Sequence, residues 1–315
     1  MADIQKNEQA KLNIDSINWK GFSWVNIAPP TQKEIDYLAE NYHFHPLDLD
    51  DTLSRRQRPK IDEYKDYLFL VFHFPIYSKE DKVITASQIS VFIGQDFLIT
   101  IHKGVFKPLV KLFRECEIDD ESREEYMGQG AGFLLYRILD RLVDYCQPIL
   151  NKVGDGIEDI EDDIFSETKG DTIREISRLR RDVIAFRRII WPMRAVIGRL
   201  EPKIRRFINI DISAYFGDMV DHLDRIWDGL DEYKEIIEGL NDTHDSLVTN
   251  RTNETIRLLT IITTIMLPLT VVSSFFGMNI PLPFMDSDAG VFYVFAIILA
   301  FIGVVLLILR KLRVI

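Results

Sequence analysis

Hydroxyl and amide side chains recur on one face of an apolar stretch in the last quarter of the chain. Residues 258–276 read LLTIITTIMLPLTVVSSFF and include no charged side chain. At 100° per residue, most of its polar side chains share an arc of about 120° with an asparagine that precedes it. We call this set the polar stripe: Asn253, Thr260, Thr263, Thr264, Thr270 and Ser274. Neutral oxygens in such a row can bind cations weakly enough to let them pass.

The polar stripe has two interpretations. A serine or threonine hydroxyl can donate to its own helix backbone or join neighbouring membrane helices. The near-heptad spacing 253, 256, 260, 263, 267, 270, 274 instead favours a helix that meets copies of itself around an axis. One helix cannot enclose a path, whereas a ring of identical helices can. The second interpretation predicts a pore in which Ile256, Leu259 and Leu267 form apolar collars between the hydroxyls.

Two stretches of the chain are long and apolar enough to cross a bilayer. Residues 258–276 and 291–309 contain no charged side chain. As helices they would be roughly 28 Å long, close to the roughly 30 Å of a hydrocarbon core. Basic residues precede the first stretch and follow the second, whereas the connection 277–290 has no Lys or Arg. The positive-inside rule then predicts a multi-pass protein of the cell (inner) membrane with both termini in the cytoplasm.

Charge, cysteine content and missing motifs exclude several classes of protein. A net charge of −11 argues against nucleic acid as a partner. Two cysteines make neither a disulfide scaffold nor a four-ligand zinc site, and we expect no resident cofactor. The chain has no glycine-rich phosphate loop, nucleophile elbow or HExxH motif, so we expect no enzyme and no ATP-driven pump.

The whole pattern predicts an α+β membrane protein. Between residues 19 and 102, β-branched and aromatic runs alternate with helical stretches, which indicates a small sheet. No proline interrupts 213–267, which predicts one helix that runs from the cytoplasm into the membrane. The predicted segments are a polar tail (1–12), a cytoplasmic α/β domain (13–130), a cytoplasmic helical region (131–212), a stalk helix (213–257), a pore-lining span (258–276), an external loop (277–290), a second span (291–309) and a basic cytoplasmic tail (310–315).

The tripeptide Gly277-Met278-Asn279 directly follows the first span and precedes a loop without basic residues. In this arrangement the chain resembles the CorA family of divalent-cation channels, whose signature is Gly-Met-Asn at the end of the first of two C-terminal spans. Blocks elsewhere also look like blocks of that family: 45–64, 189–194, 214–222, 231–240 and 252–270. The resemblance covers most of the chain.

The resemblance implies a funnel-shaped homopentamer whose long stalk helix enters the membrane as the pore helix. Gly277, Met278 and Asn279 would form an external selectivity ring. Mg²⁺ loses its water reluctantly, so neutral carbonyl and amide oxygens would recognise the ion with its hydration shell intact. Deeper in the pore, the matching positions are Asn253 and Thr270 as lining residues and Leu259 as a hydrophobic gate.

The resemblance also assigns a regulatory role to cytoplasmic aspartates. Asp51 and Asp218 match positions that bind regulatory Mg²⁺ between neighbouring subunits, and Asp50 and Asp221 lie alongside them. A bound ion would remove the repulsion between acidic faces and hold the ring closed, and its loss would open the channel. The alternative interpretation is that these are ordinary solvated carboxylates.

The chain departs from the family pattern in three places. Phe276 stands where tyrosine commonly precedes Gly-Met-Asn, and Ile256 and Leu267 stand where methionine is common. The loop lacks the usual acidic motif and offers Asp286 and Asp288, which would concentrate cations electrostatically. These departures bear on ion capture and on the choice of ion.

The leading functional hypothesis is a homopentameric channel for Mg²⁺ influx that also admits Co²⁺ or Ni²⁺. Its partners would be copies of itself, the lipid bilayer and divalent cations, with Mg²⁺ as both substrate and regulatory ligand. A zinc transporter of the same family is the first alternative. A membrane-tethered metal-dependent enzyme and a helical scaffold are alternatives from other classes.

Overall fold

The computed structural model describes residues 12–54, 57–165, 172–208, 210–278 and 288–311. They belong to two compact units, Met1–Leu240 and Asn241–Ile315. The first unit contains a sheet and most of the helices. The second contains the apolar half of one long helix and a further helix near the end of the chain.

A six-stranded sheet forms the centre of the first unit, in agreement with the predicted α/β domain. Its strands are β1 (Ile14–Trp19), β2 (Phe22–Ile27), β3 (Lys60–Glu63), β4 (Tyr67–Ser78), β5 (Val83–Gly94) and β6 (Phe97–His102). They lie in the order β1-β2-β6-β5-β4-β3, with β2 and β6 parallel and all other neighbours antiparallel. Strands β4 to β6 consist mainly of buried β-branched and aromatic residues, which pack well on a pleated surface.

Helices α1 (Gln32–Asn41) and α2 (Pro46–Leu53) cover one face of the sheet. Pro46 occupies the first turn of α2, where its missing N–H costs nothing, and the His45 side chain accepts from the backbone N–H of Leu47 at 3.2 Å. Asp48 points into the core and accepts from the Tyr67 hydroxyl at 3.2 Å, and burial raises the pKa of its carboxyl group. This packing fixes the side of α2 on which Asp50 and Asp51 lie.

A second set of helices completes the first unit: α3 (Lys107–Ile118), α4 (Asp120–Met127), α5 (Ala131–Asp144), α6 (Cys146–Phe165), α7 (Thr172–Ile197) and the short α8 (Glu201–Ile204). Helix α7 packs on β4 and β5. The Asp182 carboxylate, buried on α7, accepts from the backbone N–H of Ile84 at 3.0 Å. Pro192 lies inside α7, and the helix continues past it.

Helix α9 (Ser213–Phe276) is one continuous helix of 64 residues, as the absence of proline before Pro268 predicted. Up to Leu240 it buries one face in the first unit, and the buried residues recur at intervals of three, four or seven positions: Phe216, Met219, Leu223, Ile226, Leu230, Ile237 and Leu240. None of its side chains at positions 241–274 is buried in the single chain. That half therefore presents apolar surface to whatever surrounds it.

The described part of the second unit holds α10 (Asp288–Lys311) in addition to the end of α9. By length and composition, α9 is the one helix among the described residues that could cross a membrane. Within α10 the described apolar stretch is shorter, Ala296–Val305. The second span therefore stays a prediction from the sequence.

His102 couples the stability of the sheet to pH. Its imidazole is buried, and the ring accepts from the backbone N–H of Gly104 at 2.9 Å and lies 2.9 Å from the Asn26 amide oxygen. Burial lowers the pKa of His102 to about 4. Between the ordinary histidine pKa of about 6.5 and this value, only the unfolded state binds the proton. Acidification across that window should therefore remove up to about 3 kcal/mol of stability.

We expect His102→Gln to flatten the acid side of the stability profile. Thermal unfolding of the purified protein measured from pH 7 to pH 4 should show a smaller fall in midpoint for this variant than for wild type. His43→Gln is the matched control because His43 is exposed. Equal pH dependence for wild type and His102→Gln would contradict this assignment.

A candidate cation path and its regulatory carboxylates

Three threonines of the polar stripe, Thr260, Thr263 and Thr270, use their protons within α9. The hydroxyls of Thr260 and Thr263 each donate at 2.8 Å to the carbonyl four residues earlier, and Thr270 donates to Met266 in the same way. The first interpretation of these hydroxyls is thus correct for the single helix. It does not exclude the second, because a hydroxyl that donates to its own backbone still has lone pairs to accept with.

This bonding pattern has a chemical consequence. Once its proton is committed to the helix, a threonine oxygen is an acceptor toward everything else. Water bound to a cation presents its hydrogens outward, so acceptors are what a hydrated cation needs. Thr255, which lies outside the arc of the polar stripe, bonds back in the same way at 3.0 Å, so the bond alone does not mark a pore. Position on one face of α9 is what distinguishes the stripe.

The polar stripe is accessible along its length. Thr264 is half-buried in the single chain, and the other members are exposed. The predicted collar residues Ile256, Leu259 and Leu267 are 54, 57 and 60% exposed. So much exposed apolar surface on one helix marks a surface that lipid or another protein covers.

Gly277 caps the end of α9. Its backbone N–H donates to the carbonyl of Ser273 at 2.9 Å, which is the ordinary four-residue helical bond and closes the last turn after Phe276. A Cβ at this position would lie 3.2 Å from the same carbonyl oxygen, which is closer than ordinary packing allows. The next residue, Met278, is 53% exposed. Glycine thus suits the point at which the chain leaves the helix.

The structure describes only part of the other residues predicted for the external end of the pore. Asn279 and Asp286 lie outside the described residues, as does the side chain of Asp288, whose backbone begins α10. Their assignment to a selectivity ring and to cation capture stays a prediction.

Asp51 already has a cation partner within its own chain. Its carboxylate lies 2.7 Å from the Lys60 ammonium and accepts from the Gln57 side-chain amide at 2.6 Å. Burial works against the charged form of Lys60, but hydrogen bonds to Asp51 and Asp62 outweigh it and raise the pKa of the lysine. A divalent ion at Asp51 would therefore compete with Lys60, a partner that sequence spacing did not reveal.

Asp218 lies in a different setting on α9. Its side chain is 66% exposed, and its carboxylate lies 3.6 Å from Nε2 of His222, one turn further along. The other ring nitrogen of His222 lies 3.4 Å from the carboxylate of Asp144 on α5. Burial, followed by the nearby charge of Asp144, raises the pKa of the neighbouring Asp140. The structure thus brings α5 carboxylates to the predicted regulatory residue.

Asp140 and Asp144 were not among the residues predicted from the sequence. Both belong to α5, far from Asp218 along the chain, but they lie four residues apart and therefore share a helix face. That spacing, opposite the apolar face of α5, was the available signal. Asp50 and Asp221 are exposed.

The described part of one chain does not supply a complete metal site. Within the residues that the structure describes, no group of three or more His, Cys, Asp or Glu side chains could hold a metal ion. No described hydrogen bond or ion pair joins Asp51 to Asp218. Asp51 and Asp218 of one chain therefore each supply only part of a metal site.

These observations define a class of protein. A helix with an exposed apolar half and a row of accessible acceptor oxygens is typical of membrane proteins that conduct ions. The chain matches the family model described as CorA-like Mg2+ transporter protein over residues 19–311. It belongs to the CorA-like Mg²⁺ transporter family, and it is a divalent-cation transporter and not an enzyme. The predicted family and the prediction that the chain is not an enzyme are thereby confirmed.

Individual relatives agree with this membership. The cobalt/magnesium transport protein CorA of Thermotoga maritima is 30% identical over 261 residues, which are 82% of this chain and 73% of that protein. The zinc transport protein ZntB of Yersinia pseudotuberculosis is 25% identical over 283 residues, 88% of this chain and 82% of that protein. The solved structure of the CorA magnesium transporter from Methanocaldococcus jannaschii has the same fold, with a TM-score of 0.79 at 23% identity over 94% of this chain and 93% of that chain.

Proposed function

We propose that the chain forms a homopentameric channel that carries Mg²⁺ into the cell, with Co²⁺ and Ni²⁺ as further substrates. The observation that carries the proposal is the row of exposed threonine oxygens on the apolar half of α9, each acting as an acceptor because its proton is bonded to the helix. Five copies of this face around an axis would enclose a wet path. The membrane potential would supply about 4.6 kcal/mol for two charges across 100 mV.

The proposed selectivity ring recognises the ion through its water. A backbone carbonyl at Gly277 and a side-chain amide at Asn279 are neutral acceptors, and Mg²⁺ keeps its first shell of water wherever it can. A ring of carboxylates would hold the ion too firmly for rapid passage. Gly277 supports this role because it directly follows the last residue of α9, at the end of the apolar helix.

In the proposed topology, two spans cross the cell membrane and both termini lie in the cytoplasm. The support is the charge pattern: basic residues lie at the cytoplasmic ends of the two apolar stretches, and none lies in the loop 277–290. The acidic body, with its regulatory carboxylates, then samples internal Mg²⁺.

Regulation is proposed to occur between subunits. Asp51 of one copy and Asp218 of the next would share a hydrated Mg²⁺, since among the described residues neither belongs to a group of three or more His, Cys, Asp or Glu side chains that could hold a metal ion. Binding would weaken the pair between Asp51 and Lys60 and would hold the ring closed. Release at low internal Mg²⁺ would open it.

We expect Asp51→Asn combined with Asp218→Asn to abolish inhibition of uptake by internal Mg²⁺. Amides keep the size of the side chains but lose the charge that attracts the ion. The measurement is the rate of Mg²⁺ uptake into proteoliposomes preloaded with increasing Mg²⁺. Asp228→Asn is the matched control because Asp228 is an exposed aspartate on the same helix. Unchanged inhibition in the double variant would show that these carboxylates are merely solvated.

The zinc alternative rests on the similarity to the Yersinia zinc transport protein. It is separated from the leading proposal by ion competition. A zinc transporter would take up Zn²⁺ in the presence of millimolar Mg²⁺, and a proton gradient would alter its rate.

The proposed function is tested by flux into liposomes that contain the purified protein. We expect saturable Mg²⁺ uptake driven by an inside-negative potential and blocked by cobalt(III) hexaammine, which imitates hydrated Mg²⁺. Uptake of Zn²⁺ that is indifferent to both Mg²⁺ and hexaammine would overturn the assignment.

A further inference from the structure

A groove of about 1080 Å³ opens on the first unit, between α7, α9 and the sheet. Its volume lies slightly above the range of roughly 300–1,000 Å³ found for small-molecule sites. The side chains that give it chemical character are Arg58, Arg187, Arg188, Trp191, Trp227 and Lys234. No aspartate or glutamate is among its described lining residues, although the chain carries a net charge of −11. The groove therefore favours an anion.

Two indole rings form the apolar floor of the groove. Trp191 on α7 is 60% exposed, and its ring centroid lies 5.0 Å from that of Trp227 on α9, with 46° between the planes. An exposed tryptophan leaves a large planar surface in contact with water. Such a surface stacks well with a planar ring, and nucleic-acid bases use tryptophan in this way.

Two arginines hold the indoles in place. The Arg187 guanidinium lies 4.5 Å from the centroid of the Trp227 ring and pairs with Asp231 at 2.5 Å. Arg194 lies 5.6 Å from the centroid of the Trp191 ring and pairs with Asp224. The charges of both arginines are thus compensated, and their contribution is to position the rings.

Two other arginines of the groove lack such compensation. Arg58 and Arg188 are exposed, and within the described part of the chain neither has a carboxylate partner. Lys234 has only a long pair, 3.7 Å, with Glu238. A guanidinium fork is well matched to phosphate oxygens because it donates two parallel hydrogen bonds. These side chains are available to a ligand.

We propose that this groove binds a nucleoside polyphosphate, with the base stacked on Trp191 and the phosphates held by Arg58 and Arg188. A purely apolar ligand would leave the arginines without a partner, and inorganic phosphate would leave the indoles uncovered. A planar ring that carries several anionic oxygens satisfies both halves of the groove. Binding here is independent of the proposed transport and involves no hydrolysis.

The test uses the purified full-length protein in detergent and ATP as the probe. Quenching of tryptophan fluorescence and equilibrium dialysis should both show saturable binding. We expect Arg188→Glu to weaken ATP binding at least about tenfold, because it replaces a phosphate ligand with a repelling charge. Arg180→Glu makes the same charge change at an exposed position of α7 outside the groove and should alter affinity less than about twofold.

Two further measurements test the stacking surface and the phosphate ligands separately. Trp191→Leu retains apolar volume but removes the stacking surface, and it should weaken ATP binding while the unfolding midpoint stays near that of wild type. Adenosine and tripolyphosphate should each compete at least about tenfold less well than ATP, since each occupies one half of the groove.

Several results would overturn the proposal. They are an absence of saturable ATP binding, an equal loss of affinity in Arg188→Glu and Arg180→Glu, and competition by tripolyphosphate as strong as that by ATP. A change of oligomeric state in Arg188→Glu, without ATP binding by wild type, would assign the groove to a second copy of the chain instead.

Discussion

Replacing Asn279 with alanine is expected to abolish Mg²⁺ uptake by the reconstituted protein. In the proposed pentamer each subunit contributes one amide oxygen to the ring that holds the hydrated ion. At about 1 kcal/mol for each lost hydrogen bond, five subunits would lose about 5 kcal/mol, which corresponds to a fall in uptake of more than about a thousandfold. The measurement is initial Mg²⁺ flux into liposomes at matched protein content.

Asn250→Ala is the control for that experiment. Asn250 is an exposed amide on the same helix, and at 100° per residue it lies outside the arc of the polar stripe. The control should transport at a rate close to wild type. Substantial Mg²⁺ flux through the Asn279→Ala protein would show that Asn279 does not form a selectivity ring. It would favour a structural role for Gly277-Met278-Asn279.

The second large effect is expected from Thr263→Val combined with Thr270→Val. Valine matches the shape of threonine but offers no oxygen, so two levels of the path lose their acceptors. We expect at least about a tenfold fall in Mg²⁺ flux, because a hydrated ion would pass apolar walls where it now finds oxygen. The backbone bonds of these hydroxyls contribute little to the helix itself, so its folding should be unaffected.

Thr255→Val provides a matched comparison for the threonine variants. The Thr255 hydroxyl makes the same bond to its own helix, to the carbonyl of Arg251 at 3.0 Å, but the residue lies outside the arc. If flux falls equally in this variant and in the double variant, the effect belongs to the helix and not to the polar stripe.

The continuous helix and the sheet could be predicted from the sequence for physical reasons. The absence of proline over 213–267 left nothing to interrupt hydrogen bonding along α9, and the structure confirms one helix. β-Branched and aromatic runs likewise predicted the long strands β4 and β5. The periodicity of apolar residues and the absence of proline are properties of neighbouring residues, so they indicate the same helix or strand in the sequence and in the folded protein.

The partners of Asp51 and Asp218, the aspartates proposed to be regulatory, could not be predicted because tertiary packing creates them. Asp51 on α2 pairs with Lys60 on β3, and Asp144 on α5 lies beside His222 on α9. The indole pair of Trp191 and Trp227 likewise joins two helices. Sequence spacing can place two residues on one face of a helix, as it does for Asp140 and Asp144, but it does not show which other helix that face meets. The family resemblance correctly gave the class of protein, but it did not give these neighbours.

The most direct measurement of the central claim uses single cysteines on α9. Both native cysteines, Cys116 and Cys146, are buried, and burial raises the pKa of their thiols, so they should not react with a charged thiol reagent. Thr263→Cys lies within the arc of the polar stripe, and Leu269→Cys lies on the opposite face of the helix. We predict that a membrane-impermeant cationic reagent modifies the protein with Thr263→Cys and blocks its Mg²⁺ flux, while the protein with Leu269→Cys is untouched. Equal reaction at both positions, or reaction at Leu269→Cys alone, would contradict a wet path lined by the polar stripe.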